Sequence, residues 1–402
     1  MILNWYGAAK PSPIGNSMKT IRSCRFGDKK IRILHGPSVA AGNATKLSKC
    51  LNQIGIPSIC VAYEDHKFSY GADVLIWGKN HGLLRRELTR IITVLRVALG
   101  YEVIHFNFGT TMAMPSVPLK WKSAKLRHLI VREFHYLYSE CLQIFEVFLL
   151  SALHRRVIIT YQGDDARQGD ISKAIFSESI AHHVGNDYYS RRTDKIKRRR
   201  IHRITRITKA IFYVNPDLSH FLPKSAIFIP YGHTNVAHVV PNIVIPKRKN
   251  TQIFHAPSHR SAKGTSEIAS IMLELTNSGL PIDFHLIENV SHEDLGSLLL
   301  NADLLIDQLF AGWYGGIAVE ALCRGVPVMS YMRHSDFSVI PNEMRDQLPI
   351  ISIDASNISE NIHWFINLTS EQLSKMRYEN IRFAERWHDP ESIARQYASQ
   401  YF

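Results

Sequence analysis

Cysteine is scarce and scattered. The 402 residues hold five, at positions 24, 50, 60, 141 and 323, and no two of them form a C-x-x-C pair. Neither a disulfide frame nor a zinc cluster is expected, and the thiols read as reduced, cytosolic ones. Long apolar runs are missing too: none approaches the roughly 20 residues that cross a bilayer. The nearest, 129–153, is broken by Arg132, Glu133, Glu140 and Glu146 and reads as an amphipathic or buried helix. The opening MILNWYGAAKPSPIGNS has no basic region followed by an apolar core, so no signal peptide is expected. No internal repeat or low-complexity tract is evident. Acidic residues are in deficit, 35 against 48 Lys and Arg, for a net charge of +13. That surplus suits a partner bearing phosphates: nucleic acid, an anionic membrane surface or a diphosphate substrate.

What is present is an alternation of short apolar runs with helical patterns, which spells an α/β chain of doubly wound units. Its length allows two domains. A leader rich in Pro, Gly, Ser and Lys is expected over 1–29, a first domain over 30–225 and a second over 226–385. A terminal helix is expected over 386–402. Strand signals fall at 31–35, 58–63, 72–77, 103–108, 157–161 and 210–214, then at 252–257, 283–287, 303–310, 326–331 and 348–353. Residues 241–250, with two prolines and a basic cluster, read as an exposed connection.

In an open α/β sheet the loops at the carboxyl ends of the strands line the ligand crevice. Gly42 and Asn43 follow the first strand and belong either to the crevice or to a simple turn. His105 ends another strand and is either crevice-facing or a satisfied core histidine. In YQGDDAR, Asp164 and Arg167 either orient crevice residues or hold a local turn together; the adjacent Asp-Asp pair is not read as a metal site, and no metal is expected. SHRSAKG places Arg260 and Lys263 between a strand and a helix, where cations suit a diphosphate. Glu288 opens the loop after the next strand. The stretch ADLLIDQLFAGWYGGIAVEALCRGVPVMSY (302–331) parses as strand, glycine-broken loop, helix and strand. Gly315 and Gly316 bring backbone N–H groups to a helix N-terminus. Glu320, placed in the first turn, either grips neighbouring hydroxyls or complements the helix dipole. The run RRTDKIKRRRIHRITRITK (191–209) reads as a basic amphipathic helix that either lies on anionic lipid or is a solvated face.

The 302–331 stretch, with EALCRGVPV after its glycine loop, resembles the nucleotide-binding segment of retaining GT-B glycosyltransferases, the large family-four group. The resemblance implies two Rossmann-like domains with a ligand cleft between them, and a terminal helix over 386–402 that packs back on the first domain. It also implies a nucleotide-diphosphate sugar as donor, a glycan or lipid-linked acceptor, and a role in assembling a surface polysaccharide. It gives Glu320 the ribose, Gly315 and Gly316 the donor sugar or phosphate, Lys263 and Arg260 the leaving diphosphate, Glu288 the surroundings of the base and His105 the reacting sugar. No cofactor is required on this reading. Two departures stand out: Gly312 where the family has a sugar-contacting Glu, and Ser258 where it has the diphosphate Arg. A nucleotide-sugar epimerase of the same fold, a basic nucleic-acid-binding protein and a non-catalytic sugar-nucleotide binder are the alternatives. Nucleic acid is not the expected partner. The expected setting is the cytoplasm, peripheral on the inner face of the membrane.

Overall fold

The computed structural model describes residues 25–26, 29–30, 33–64, 70–78, 81–113, 126–185, 187–234 and 248–402. The expected leader lies outside the described residues apart from a short antiparallel pair, Arg25–Phe26 with Lys29–Lys30. The expected connection over 241–250 lies outside them up to residue 247.

Two parallel sheets organise the chain. The first takes β1 (Ile33–Gly36), β2 (Ser58–Ala62), β3 (Val74–Leu75), β4 (Val103–Asn107), β5 (Arg156–Tyr161), β6 (Thr208–Tyr213) and β7 (Ile227–Phe228), in the spatial order β3-β2-β1-β4-β5-β6-β7. The second takes β8 (Thr251–His255), β9 (Ile282–Leu286), β10 (Leu304–Ile306), β11 (Val328–Ser330) and β12 (Ile351–Ser352), in the order β9-β8-β10-β11-β12. β7 pairs with β6, so the chain leaves the first sheet after it. In each sheet the strand order reverses beside the first strand, which is where a doubly wound sheet opens its crevice.

Strand periodicity distributes the layers. Leu34, Ile104, Ile159 and Ile211 face one side of the first sheet, packing with α2 (Leu83–Gly100), α3 (Leu126–Ala152) and α4 (Arg191–Thr205). Ile33, Val103, Ile158 and Ala210 face the other side, where α1 (Asn43–Gln53) lies. The second sheet carries α5 (Thr265–Asn277) and α6 (Gly316–Cys323), with α7 (Ser370–Trp387) behind α6. The chain then returns: α8 (Pro390–Ala398) packs on α1, burying Ile393, Ala394, Tyr397 and Tyr401 against the first sheet. At the turn before α8, His388 is buried, its Nδ1 2.8 Å from the Tyr231 carbonyl and its Nε2 2.9 Å from the Tyr314 hydroxyl. One imidazole thus ties the crossing segment, the glycine loop and the end of α7.

Buried histidines give the fold an acid sensitivity. Burial pulls His35 down to about 3 and His255 and His388 to about 4, and neither ring nitrogen of His35 meets a hydrogen-bond partner. The folded chain keeps these rings neutral while the unfolded chain protonates them below about 6.5, so stability is lost as pH falls. His35→Leu is expected to shrink the loss between pH 7 and pH 5 by about 2 kcal/mol in urea melts; an unchanged loss would contradict the neutral buried ring.

Candidate functional site

The loop after β8 and the loop after β10 are joined by one carboxylate. Asp307 is buried, with Oδ1 accepting from Lys263 Nζ at 2.6 Å and Oδ2 accepting from the Gly315 N–H at 2.6 Å. Sequence reading treats Asp307 only as an interruption of an apolar run; in the structure the strand stops at Ile306 and Asp307 turns into the crevice wall. The next residue, Gln308, is fully buried and closes the loop on itself. Its Nε2 donates to the Trp313 carbonyl at 2.7 Å and to Ser330 Oγ at 3.1 Å, while Oε1 accepts from the Phe310 N–H at 2.7 Å. The signal available was two consecutive polar residues inside a buried strand, since buried polar side chains must find partners.

Gly315 is the N-cap of α6, and no side chain caps that end. The Gly315 N–H expected to meet the donor is held by Asp307, so the N–H groups left to serve an anion begin at Gly316. The His233 ring lies over Gly316, within 3.2 Å of where a Cβ would stand. Glu320 is the fifth residue of α6, not in its first turn as expected, so the helix dipole gives little reason for it. It is 5% exposed, with Oε1 3.6 Å from His233 Nε2. Tyr70 comes in from the first sheet's side: burial, then the Glu320 charge, push its hydroxyl up to about 12. The same Tyr70 ring packs against Gly42, whose φ of +69° suits glycine. Gly42, Tyr70, Glu320, His233 and Gly316 therefore form one continuous wall across the two sheets.

The remaining expected site residues divide. Lys263 ends a single helical turn, Arg260–Lys263, and is four-fifths covered. Arg260 is half exposed and paired with Glu288 at 2.6 Å, so these two expected donor contacts engage each other. Asn43 donates to Gln162 Oε1 at 2.8 Å, linking the first crevice loop to the YQGDDAR turn. Asp164 accepts from the Tyr188 and Tyr189 hydroxyls. Burial opposes its charge, but Arg167 and those hydroxyls outweigh it and hold the carboxyl below its usual range. Tyr188 in turn packs edge-on to His259, which caps the Arg260 turn. Arg167 is chiefly a buried anchor, donating to both Asp217 oxygens at 2.6 and 3.0 Å, with Asp164 farther away at 3.7 Å.

Of the two readings of His105, the structure favours the satisfied core histidine. It is fully buried on the α8 face of the first sheet, with Nδ1 2.8 Å from the Tyr401 hydroxyl and Nε2 2.8 Å from Thr160 Oγ1. Both ring nitrogens are spent on structure, so the ring has nothing to offer a reacting sugar. Gly312 has φ +81°, and the Arg333 guanidinium fills the space a side chain would need, 2.5 Å from a notional Cβ. Arg333 pairs with Asp336 at 3.1 Å, donates to the Glu178 carbonyl at 2.6 Å and stacks over Phe176 at 3.7 Å. A side chain at position 312 would be strained at this φ and would require Arg333 to move.

The basic run 191–209 is split by its own helix. Arg192 pairs with Glu133, Arg198 with Asp170 at 2.8 Å, and Arg200 and Arg203 with Glu140 at 3.0 Å. Lys197 donates to the Arg167 carbonyl at 2.7 Å. The expected solvated or lipid-facing run is therefore half consumed within the fold. Among the described residues no three His, Cys, Asp or Glu side chains cluster as a metal site, and no helix is long and apolar enough to cross a membrane.

No family model matches the chain, and no curated protein does. Solved structures do. A sucrose-phosphate synthase from Thermosynechococcus elongatus superposes with a TM-score of 0.55 at 14% identity, over 93% of this chain and 98% of that one. A glycosyltransferase from Rickettsia africae superposes with a TM-score of 0.54 at 11% identity, again over 93% and 98%. The fold is GT-B. Two Rossmann-like units meet at their crevices, as the resemblance implied.

His105→Ala is expected to cost about 2–4 kcal/mol of stability, from the cavity and the unpaired Tyr401 hydroxyl. Ligand affinity of the folded protein should stay as it was. Lost affinity at unchanged stability would restore His105 to the site.

Proposed function

We propose that the protein is a glycosyltransferase that takes a sugar from a nucleotide-diphosphate donor held in the crevice between the two sheets. The observation that carries this reading is the Lys263–Asp307–Gly315 link. It sets a cation and a helix N-terminus side by side at the carboxyl edge of the second sheet. Such a pair suits the charge that grows on a departing diphosphate, and a fixed electrostatic partner is the largest single contribution in reactions of this kind. Asp307 lowers the cost of holding Lys263 partly buried and fixes where its ammonium points. Arg260, once turned from Glu288, can add a second cation. Glu320, nearly buried beside His233 and past the reach of the dipole, would accept from ribose hydroxyls. The acceptor, a glycan or a lipid-linked one, would enter from the first sheet past Gly42, Asn43 and Asp164. Retention of configuration, a hexosyl donor and a role in surface-polysaccharide assembly follow the resemblance. So does independence from a cofactor. The proposed setting is the cytoplasm, consistent with Cys50, Cys60, Cys141 and Cys323 all being free thiols.

Thermal stabilisation by a panel of UDP-, GDP-, ADP- and CMP-sugars tests the reading, because a ligand specific to the folded state raises its melting temperature. A shift with one base family is expected. No shift at millimolar ligand would contradict it, and a shift without sugar transfer to any acceptor would leave a binder and not an enzyme. Lys263→Ala is expected to weaken nucleoside diphosphate binding by roughly 1.5–3 kcal/mol while affecting the free nucleoside little. Equal losses for both ligands would point to a general collapse of the loop.

A further inference from the structure

Helix α3 is apolar where it should not be. Its inner side packs Leu142 and Leu150 into the core, and its outer side carries another apolar row, with Phe134, Leu137 and Phe148 each more than 60% exposed. The spacing from 134 to 137 and on through 141, 144 and 148 keeps this row on one face. Helix α2, packed beside it, presents Leu84, Leu88 and Leu99 in the same way. Thirteen of the 21 large apolar side chains exposed among the described residues lie on these two helices. A contiguous apolar surface of this kind on a folded protein marks an interaction site.

We propose that the outer face of α2 and α3 docks on an anionic membrane surface, with α4 as its cationic border. The argument for lipid is charge complementarity. Arg192, Arg200 and Arg203 are spent on Glu133 and Glu140 of α3. On the solvent side of α4, Arg191, Lys195, Arg199 and Arg206 recur at helical spacing and are exposed. The acids bordering the apolar rows are themselves paired, Glu87 with Arg90 and Glu133 and Glu140 with α4, so the excess around the face is positive. An apolar strip flanked by cations is what lies at an anionic lipid interface. A second copy of this chain fits worse, because a two-fold pairing of the face would set the α4 cations against one another. The surface differs from the one the sequence suggests: the basic helix supplies the border, and the insertion comes from α2 and α3. It also stands apart from the nucleotide reading, since lipid binding here needs no occupied crevice.

The test is co-sedimentation with vesicles of phosphatidylcholine alone and of phosphatidylcholine containing one quarter phosphatidylglycerol. The full chain is expected to bind the anionic vesicles, less so at high salt. The double variant Phe134→Asp with Leu137→Asp should bind at least about tenfold more weakly, with its melting temperature unchanged. Should that variant fold poorly, Leu84→Asp with Leu88→Asp on the neighbouring helix serves the same purpose. Arg199→Glu with Arg206→Glu should reduce binding to the anionic vesicles by about tenfold or more as well. Failure of the full chain to bind anionic vesicles would overturn the proposal, and so would apolar-face variants that bind as the parent does. A dimer in sedimentation velocity that the Phe134→Asp, Leu137→Asp variant disperses, without vesicle binding, would assign the face to a second copy instead.

Discussion

A buried carboxylate is costly unless it is paired, and Asp307 is paired twice. That requirement shapes the second unit. With one oxygen on Lys263 and the other on the Gly315 N–H, Asp307 fixes the distance between the loop after β8 and the start of α6. Gln308 then fixes the course of the loop between them. Neither residue would be tolerated there without those partners, and the partners would be free to wander without them. The crevice wall is therefore set by two adjacent polar side chains at the end of one three-residue strand.

The same logic holds the two units together. Buried polar groups reach across and are satisfied on the far side: Tyr401 and Tyr397 of the returning terminus on His105 and Thr160, Arg333 on the Glu178 carbonyl, and His220 on Asp336 at 3.0 Å. His183 stacks flat on Phe310 at 3.5 Å. Each link crosses from one sheet's elements to the other's, and each would have to break for the units to part widely.

The sheets were readable because parallel strands buried on both faces are short apolar runs, and nearly every run found in the sequence became a strand. β7, only two residues long, is absent from those runs. The motif residues Lys263, Gly315, Gly316 and Glu320 do gather at one edge. Asp307 was not legible, because its meaning lies in two contacts from distant residues. His233 and Tyr70 sit in segments with no periodic pattern to flag them. His105 misled through strand parity: one residue's difference turns a side chain from one face to the other, and the face it occupies was filled by a terminus nearly 300 residues away. The pairing of half the basic run was not legible, because composition counts charges without their partners.

On the proposed function, Glu320 meets the ribose of a nucleoside diphosphate whose phosphates lie near Lys263. The most direct test is a thermodynamic cycle by titration calorimetry. A ribonucleoside diphosphate that stabilises the protein is compared with its 2′,3′-dideoxy counterpart, on the parent chain and on Glu320→Ala. The account predicts that the parent prefers the ribose form by about tenfold or more, and that the preference falls to near one in the variant. A preference that survives in Glu320→Ala, or a parent chain indifferent to the hydroxyls, would contradict it.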